Sequence, residues 1–120
     1  MSPRRSVLLI DADPMLRALL GGLLEMNEYR VRFAETSSQA LTLLAKEGFD
    51  LIILEPVMQE IDSRILYQRV RAMGVVSPVV LLTTQPHSDA ALQLTCSGVA
   101  AVLEKPCGHE LLVATLEEVL

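Results

Sequence analysis

Four short polar segments, each directly after an apolar run, supply the groups that could handle a phosphoryl group. They contain the carboxylates of Asp11, Asp13 and Glu55, the hydroxyl of Thr83 and the ammonium of Lys105. A carboxylate can act as a nucleophile or mimic, while a hydroxyl and an ammonium can stabilise negatively charged phosphoryl oxygens. Each residue alone has an ordinary structural explanation. Their shared position at the ends of four apolar runs favours one common site.

The elements that must position these residues alternate along the chain. Strands are predicted at 6–11, 29–34, 50–55, 77–84 and 100–105, and helices at 14–28, 36–48, 62–74, 88–98 and 108–120. Five strand–helix units predict a parallel sheet with helices on both faces. We therefore expect a single three-layer α/β domain over 1–120, flavodoxin-like, with five strands in the order 2-1-3-4-5 and five helices. In such sheets ligands lie beyond the carboxyl ends of the strands, where the polar segments fall.

Composition limits the classes of function. A chain of 120 residues with 51% apolar residues suits one globular domain. The net charge of −5 argues against direct nucleic-acid or anionic-membrane binding. The N-terminus lacks a signal-peptide core, and no apolar run is long enough to cross a membrane, so we expect a soluble, cytoplasmic protein. Cys96 and Cys107 lack metal-type spacing and are expected to stay reduced. Residues 1–5 are expected to be a loose N-terminus.

The whole chain resembles the response-regulator receiver domains of two-component signalling. The segments that carry the resemblance are VLLIDADPMLR, DLIILEPVMQEID, PVVLLTT and GVAAVLEKP. The resemblance implies a signalling domain rather than an enzyme. It places Glu55 at the phosphoacceptor aspartate, Thr83 and Lys105 at the supporting positions, and Asp11 first in a pair of acidic residues. The uncapped last helix is compatible with the N-terminal part of a longer regulator.

Several positions depart from the family pattern. Ala12 replaces the second acidic residue of the pair, which is the direct Mg²⁺ ligand, and Val102 replaces the switch aromatic. Gln59-Glu60 stands where the family has Pro-Gly, and Ser63 replaces a glycine. The family pattern also implies a cis Lys105-Pro106 bond. Because Ala12 and Glu55 depart from the family pattern, we expect no cofactor, weak or absent Mg²⁺ binding, and no phosphorylation. Glu55 is then either a built-in partial mimic of the phosphorylated state or a salt-bridge partner left in a decayed site.

A second signal points to a partner surface. Asp89 is the one formal charge between Ala72 and Leu103, and the predicted helix at 88–97 is apolar on nearly every side. An outer helix of this kind is usually covered by a partner. Ala90, Ala91 and Leu94 are the candidate contact residues. We expect a homodimer or a protein partner there, and the family resemblance implies a histidine kinase or an output domain.

Two other functions remain open. The Asp-x-Asp spacing of Asp11 and Asp13 also occurs in haloacid-dehalogenase-type phosphatases, whose later Thr/Ser and Lys are echoed by Thr83 and Lys105. Turnover of a phosphate ester that Asp11→Asn abolishes would favour that enzyme. The other alternative is a purely structural interaction module, in which replacing Glu55 leaves partner binding unchanged.

Overall fold

The computed structural model describes residues 4–59 and 61–120, and within them strands and helices alternate as the sequence predicts, apart from one short hairpin after the third strand. The strands are β1 (Ser6–Ile10), β2 (Arg30–Ala34), β3 (Leu51–Leu54), β4 (Val57–Met58), β5 (Ile61–Asp62), β6 (Val79–Thr83) and β7 (Ala101–Glu104). The helices are α1 (Pro14–Met26), α2 (Ser37–Lys46), α3 (Ser63–Ala72), α4 (Asp89–Cys96) and α5 (His109–Val119). None of these helices is long and apolar enough to cross a membrane.

The main sheet is parallel and has the strand order β2-β1-β3-β6-β7. Counting only the strands of this sheet, that is the predicted order 2-1-3-4-5, so the flavodoxin-like fold is confirmed. The two-residue strands β4 and β5 form a separate antiparallel hairpin directly after β3. The sequence did not predict this hairpin, because four residues carry no readable periodicity.

Two apolar clusters cover the two faces of the sheet, which gives three layers. Successive residues of a strand point to opposite faces, so Leu8 and Ile10 join one cluster while Val7 and Leu9 join the other. Helices α2, α3 and α4 pack on the first face, and α1 and α5 pack on the second. The three central strands β1, β3 and β6 are buried on both faces, as their continuous apolar sequences predict.

Helix α4 corrects the predicted partner surface. Ala91 and Leu94 are 0% and 1% exposed and belong to the core cluster between α3, α4 and the sheet. They therefore cannot form an outer contact face, and that assignment was wrong for both. Ala90 is half-buried, and Leu92 is the large apolar side chain that α4 exposes. The prediction failed because α4 has only eight residues, and the apolar residues that it packs against the core were interpreted as part of an exposed face.

Helix starts follow local capping chemistry. Asp62 and Ser88 are the N-caps of α3 and α4, since their side chains accept hydrogen bonds from the first turns of these helices. Desolvation raises the pKa of Asp62, but hydrogen bonds from the Ile65 N–H and from Arg64 outweigh it and hold that pKa below its ordinary value.

Helix α1 approaches the edge strand β2 closely at Gly21. A Cβ atom built on Gly21 would lie 2.7 Å from Cζ of Phe33, whereas one on Gly22 would meet nothing within 4 Å. A glycine at position 21 therefore lets the helix pack against the aromatic ring.

The predicted loose N-terminus lies partly outside the described residues. Arg4 and Arg5 are exposed, and the Arg5 carbonyl accepts a 2.8 Å hydrogen bond from the Arg30 N–H. Residue 5 is therefore tied to the edge strand. Glu60, the second residue of the predicted Gln59-Glu60 departure, is also outside the described part of the chain.

Candidate functional site

The parallel sheet brings the predicted site residues to one edge. Asp11 follows β1, Glu55 follows β3, Thr83 ends β6 and Lys105 follows β7. An open cavity of about 530 Å³ lies at this edge. Its lining contains Asp11, Ala12, Asp13, Glu35, Glu55, Val57, Met58, Gln59, Thr84 and Lys105. Thr83 is the one predicted pocket residue that does not line the cavity.

Lys105 connects two of the strand ends. Its Nζ donates to Oδ2 of Asp11 at 2.8 Å and to Oε1 of Glu55 at 3.1 Å. The three side chains are 15%, 5% and 9% exposed, so water screens these ion pairs weakly. Burial lowers the pKa of Lys105, but the hydrogen bond to Asp11 and the charges of Glu55 and Asp11 outweigh it and raise that pKa above its ordinary value. The Lys105-Pro106 peptide bond is cis, as predicted.

Both carboxylate oxygens of Glu55 have partners. Oε1 accepts from Lys105, and Oε2 accepts a 3.1 Å hydrogen bond from the Val57 N–H. The Glu55 N–H donates to the Ile10 carbonyl at 3.0 Å, which continues the sheet pairing and fixes the backbone of Glu55. The side chain is thus held at both of its acceptor atoms.

Asp11 and Asp13 have different roles. Asp11 Oδ1 accepts from the Asp13 N–H at 2.9 Å, while its other oxygen binds Lys105. Asp13 Oδ1 accepts from the N–H groups of Met15 and Leu16, so Asp13 is the N-cap of α1. A carboxylate engaged in this way stabilises a helix start, and the geometry does not favour Asp13 as a catalytic acid or base.

The hydroxyl of Thr83 points to its own turn. Thr83 is 0% exposed, and its Oγ1 accepts a 3.0 Å hydrogen bond from the Gln85 N–H. Within the described residues, Thr83 makes no side-chain hydrogen bond to Glu55 or Lys105. The Lys105 N–H instead donates to the Thr83 carbonyl at 2.9 Å. Among the described residues, the Thr83 hydroxyl is therefore engaged in its own turn rather than with the charged groups of the pocket.

Two cavity residues were missed by sequence reasoning. Thr84 directly follows β6 and lines the cavity with an exposed side chain. Glu35 directly follows β2, lines the cavity, and pairs with Arg17 at 2.7 Å. The signal was present in both cases, because each residue follows a strand at the same edge of the sheet. Sequence reasoning singles out Thr83 of the Thr83-Thr84 pair at the end of β6 and includes no residue after β2.

The residues present do not fit a divalent metal ion. Mg²⁺ needs near-octahedral oxygen ligands and is usually held by one or two carboxylates together with waters. Ala12 supplies no oxygen, and Lys105 already occupies one oxygen of Asp11 and one of Glu55. Within residues 4–59 and 61–120, no group of three or more His, Cys, Asp or Glu side chains is arranged to hold a metal.

Val102 occupies the position where the family resemblance places a switch aromatic. It lies in β7 in register with Leu81, is half-buried, and packs against the core cluster that contains α4. A valine has no ring that could turn between an inward and an outward position.

Comparison with known proteins agrees with this geometry. The chain is 32% identical over 114 residues to the transcriptional regulatory protein GlrR of Escherichia coli K12, covering 95% of this chain and 26% of GlrR. It is 30% identical over 110 residues to the sensor histidine kinase RcsC of Salmonella typhimurium, covering 92% of this chain and 12% of RcsC. The chain therefore corresponds to a minor part of each of these relatives.

Solved structures show the same fold. The chemotaxis response regulator CheY4 of Vibrio cholerae aligns with a TM-score of 0.87 at 27% identity, covering 98% of this chain and 99% of CheY4. The non-phosphorylated HemR receiver domain of Leptospira biflexa aligns with a TM-score of 0.86 at 28% identity, covering 97% and 94% of the two chains. Residues 7–117 match the response regulator receiver domain. The chain belongs to the response regulator receiver domain family.

Proposed function

We propose that this receiver domain signals through protein–protein contact without being phosphorylated, and that Glu55 provides a permanent negative charge in place of a phosphoryl group. The observation that carries the proposal is the simultaneous contact of Lys105 with Asp11 and Glu55, at 2.8 and 3.1 Å. In this contact the Lys105 ammonium is already paired with two carboxylates, so the pocket needs no added phosphoryl group to supply a negative charge.

The geometry of Glu55 opposes phosphoryl transfer. Its side chain is one methylene longer than an aspartate, which moves the carboxylate relative to the strand end. A misplacement of this size at a reacting centre can reduce a rate about a hundredfold. Both oxygens are also already hydrogen-bonded, one to Lys105 and one to the Val57 N–H. The lack of a carboxylate at Ala12 removes a metal ligand as well, and the two losses compound.

The same contacts support a fixed signalling state. Glu55 joins the start of the β4–β5 hairpin to Lys105, which lies between β7 and α5. A charge-assisted hydrogen bond can hold these two segments in one arrangement. The mimicry is partial, because a carboxylate carries about one charge and a phosphorylated side chain about 1.5 to 2. Val102 removes the aromatic part of the usual two-state element, so the domain holds one state rather than switching.

The partner is a protein, and α1 offers the better contact surface. Met15, Leu19 and Met26 are 72%, 67% and 80% exposed. Their spacing of four and seven residues places them on one face of the helix. On α4, Leu92 is the one large apolar side chain that is similarly exposed, at 48%. Since an exposed apolar stripe usually marks an interaction site, we extend the expected partner surface from α4 to α1.

The relatives suggest the class of that partner. GlrR is named a transcriptional regulatory protein and RcsC a sensor histidine kinase. We propose that the domain acts in the cytoplasm, without direct contact to nucleic acid or membrane, on a histidine kinase or an attached output domain.

Intact-mass measurement after incubation with acetyl phosphate and Mg²⁺ tests the proposal. The wild-type chain should not gain the mass of a phosphoryl group. The double variant Ala12→Asp with Glu55→Asp restores the two family residues and should gain it, which shows that the assay works. A phosphoryl group on wild-type Glu55 would refute the proposed function. Steady release of phosphate from a phosphate ester, abolished by Asp11→Asn, would instead support the phosphatase alternative.

A further inference from the structure

We infer that α1 is the contact surface between two copies of this chain, which pack α1 against α1 in antiparallel orientation about a twofold axis. The inference deepens the proposed function, on which it rests for the partner surface at α1, and it names the partner as a second copy. The contact surface, the α1 stripe, consists of Met15, Leu19, Gly22 and Met26.

The α1 stripe is a narrow apolar band that is open to solvent. At about 100° of rotation per residue, its four members fall within roughly 60° of one another around the helix. Met15, Leu19 and Met26 are 72%, 67% and 80% exposed, and Gly22 between them is exposed as well. Large apolar side chains scattered singly are ordinary on a protein surface, whereas a continuous band of them marks a surface that another surface covers.

The α1 stripe contains no charged residue, which favours a second copy as the covering surface. The chain has a net charge of −5, so two copies repel each other over most of their surface. Arg17 points to Glu35, with which it pairs at 2.7 Å, and Glu25 lies about 60° beyond Gly22 around the helix. A symmetric contact places identical surfaces against each other, so a face without charge avoids like-charge repulsion.

The order of residues along the α1 stripe makes it complementary to itself. When the twofold axis passes the helix midway between Leu19 and Gly22, Leu19 of each copy faces Gly22 of the other. The same axis places Met15 of each copy opposite Met26 of the other. A Cβ atom built on Gly22 would meet nothing within 4 Å, so the space above this glycine is free to receive the leucine side chain. The antiparallel pair therefore fills two identical gaps with two identical side chains.

The size of α1 determines how strong this contact is. Its 13 residues rise by about 1.5 Å each, which gives a helix of about 20 Å. One pair of helices of that length buries less than the roughly 1,600 Å² of a standard stable interface. The dimer is therefore transient, and its population depends on protein concentration.

Sedimentation equilibrium from ~10 µM to ~1 mM tests the inference over the range of weak affinities. The mean mass of wild type should rise from 13.2 kDa toward twice that value. Leu19→Glu adds a carboxylate to each side of the axis and should remain at 13.2 kDa throughout. Val76→Glu, at a site that is 89% exposed after α3, changes the charge equally and should associate like wild type.

Wild type that stays at the monomer mass over the whole range would overturn the inference, and the partner at α1 would then be a different protein. Equal association of Leu19→Glu and Val76→Glu would also overturn it. Circular dichroism checks that both variants are folded, which is expected because both positions are exposed.

Cross-linking tests the antiparallel register separately. Met15→Cys and Met26→Cys are made as two proteins, each with Cys96→Ser and Cys107→Ser, and one is isotopically labelled so that mass spectrometry distinguishes mixed from like dimers. A short bismaleimide linker should yield mainly mixed dimers, because like positions of an antiparallel pair lie at least about 16 Å apart along the helix axis. Mixed and like dimers in the proportions of random collision would overturn the inference. Both tests measure self-association and the phosphoryl mass assay measures modification of Glu55, so the two proposals can fail independently.

Discussion

Replacing Lys105 should destabilise the domain much more than neutralising Glu55, although the two side chains form one ion pair. Lys105→Met leaves both Asp11 and Glu55 buried without a positive partner. Glu55→Gln leaves Lys105 paired with Asp11 at 2.8 Å, and the amide oxygen can still accept from the Val57 N–H. The asymmetry follows from Lys105 standing between two acids.

The magnitudes follow from burial. Breaking a buried ion pair by removing one partner costs about 3–5 kcal/mol of unfolding free energy, and Lys105→Met belongs in that range because the two carboxylates are 5% and 9% exposed. Glu55→Gln removes one charged hydrogen bond and should cost about 1–2 kcal/mol. For a chain of 120 residues, 3 kcal/mol corresponds to a fall in Tm of about 10 °C.

Urea unfolding of wild type, both single variants and the double variant measures these costs. In the Glu55→Gln background, Lys105→Met leaves only Asp11 unpaired and should cost less, which gives a coupling free energy of about 1–2 kcal/mol. Equal costs for the two single variants, or costs that add within about 0.5 kcal/mol, would refute the bridging role of Lys105.

Three further predictions use contrasts within the chain. Gly22→Ala should stabilise the domain by about 0.5–1 kcal/mol, whereas Gly21→Ala should destabilise it by about 1 kcal/mol because its Cβ meets an aromatic ring. Thermal unfolding compares the two variants, and equal shifts in Tm would contradict the packing argument. In urea unfolding, Leu94→Ala should lower the free energy of unfolding by about 2–5 kcal/mol and Leu92→Ala by less than about 1 kcal/mol, since the first side chain is buried and the second is half exposed. The reverse order would count against the burial of α4. The folded-state pKa of Asp62 is lowered, so its capping contribution is present above the unfolded pKa of about 3.8 and disappears as pH falls through the folded value. The difference in unfolding free energy between wild type and Asp62→Ala should therefore close over that acidic range. A difference that persists there would contradict stabilisation by the charged carboxylate.

Sequence reasoning predicted the sheet because the strands carry strong signals. The runs that became β1, β3 and β6 are continuously apolar, and burial on both faces follows from that pattern. Parallel topology then predicts that Asp11, Glu55 and Lys105 lie at one edge of the sheet. The confirmed cis Lys105-Pro106 bond came from the family resemblance rather than from composition.

The misses involve side-chain direction and very short elements. Which oxygen a buried lysine binds, and whether Thr83 serves the pocket or its own turn, depends on rotamers that a sequence does not encode locally. Ala91 and Leu94 were assigned to a surface because the predicted helix looked apolar on all sides, yet a two-turn helix needs those residues for the core. Asp13 does line the cavity with the other acids, while the chemistry of the helix start determines its hydrogen bonds.

The most direct test of the central claim is a crystal structure of wild-type protein soaked with Mg²⁺ and beryllofluoride, a phosphoryl surrogate. If Glu55 is a permanent substitute for the phosphoryl group and Lys105 bridges it to Asp11, both should keep their contacts, with Lys105 Nζ still bound to Asp11 and to Glu55 at 2.8 and 3.1 Å. Beryllofluoride on the Glu55 carboxylate, with a metal ion beside Ala12 and Lys105 displaced from the two acids, would contradict the account.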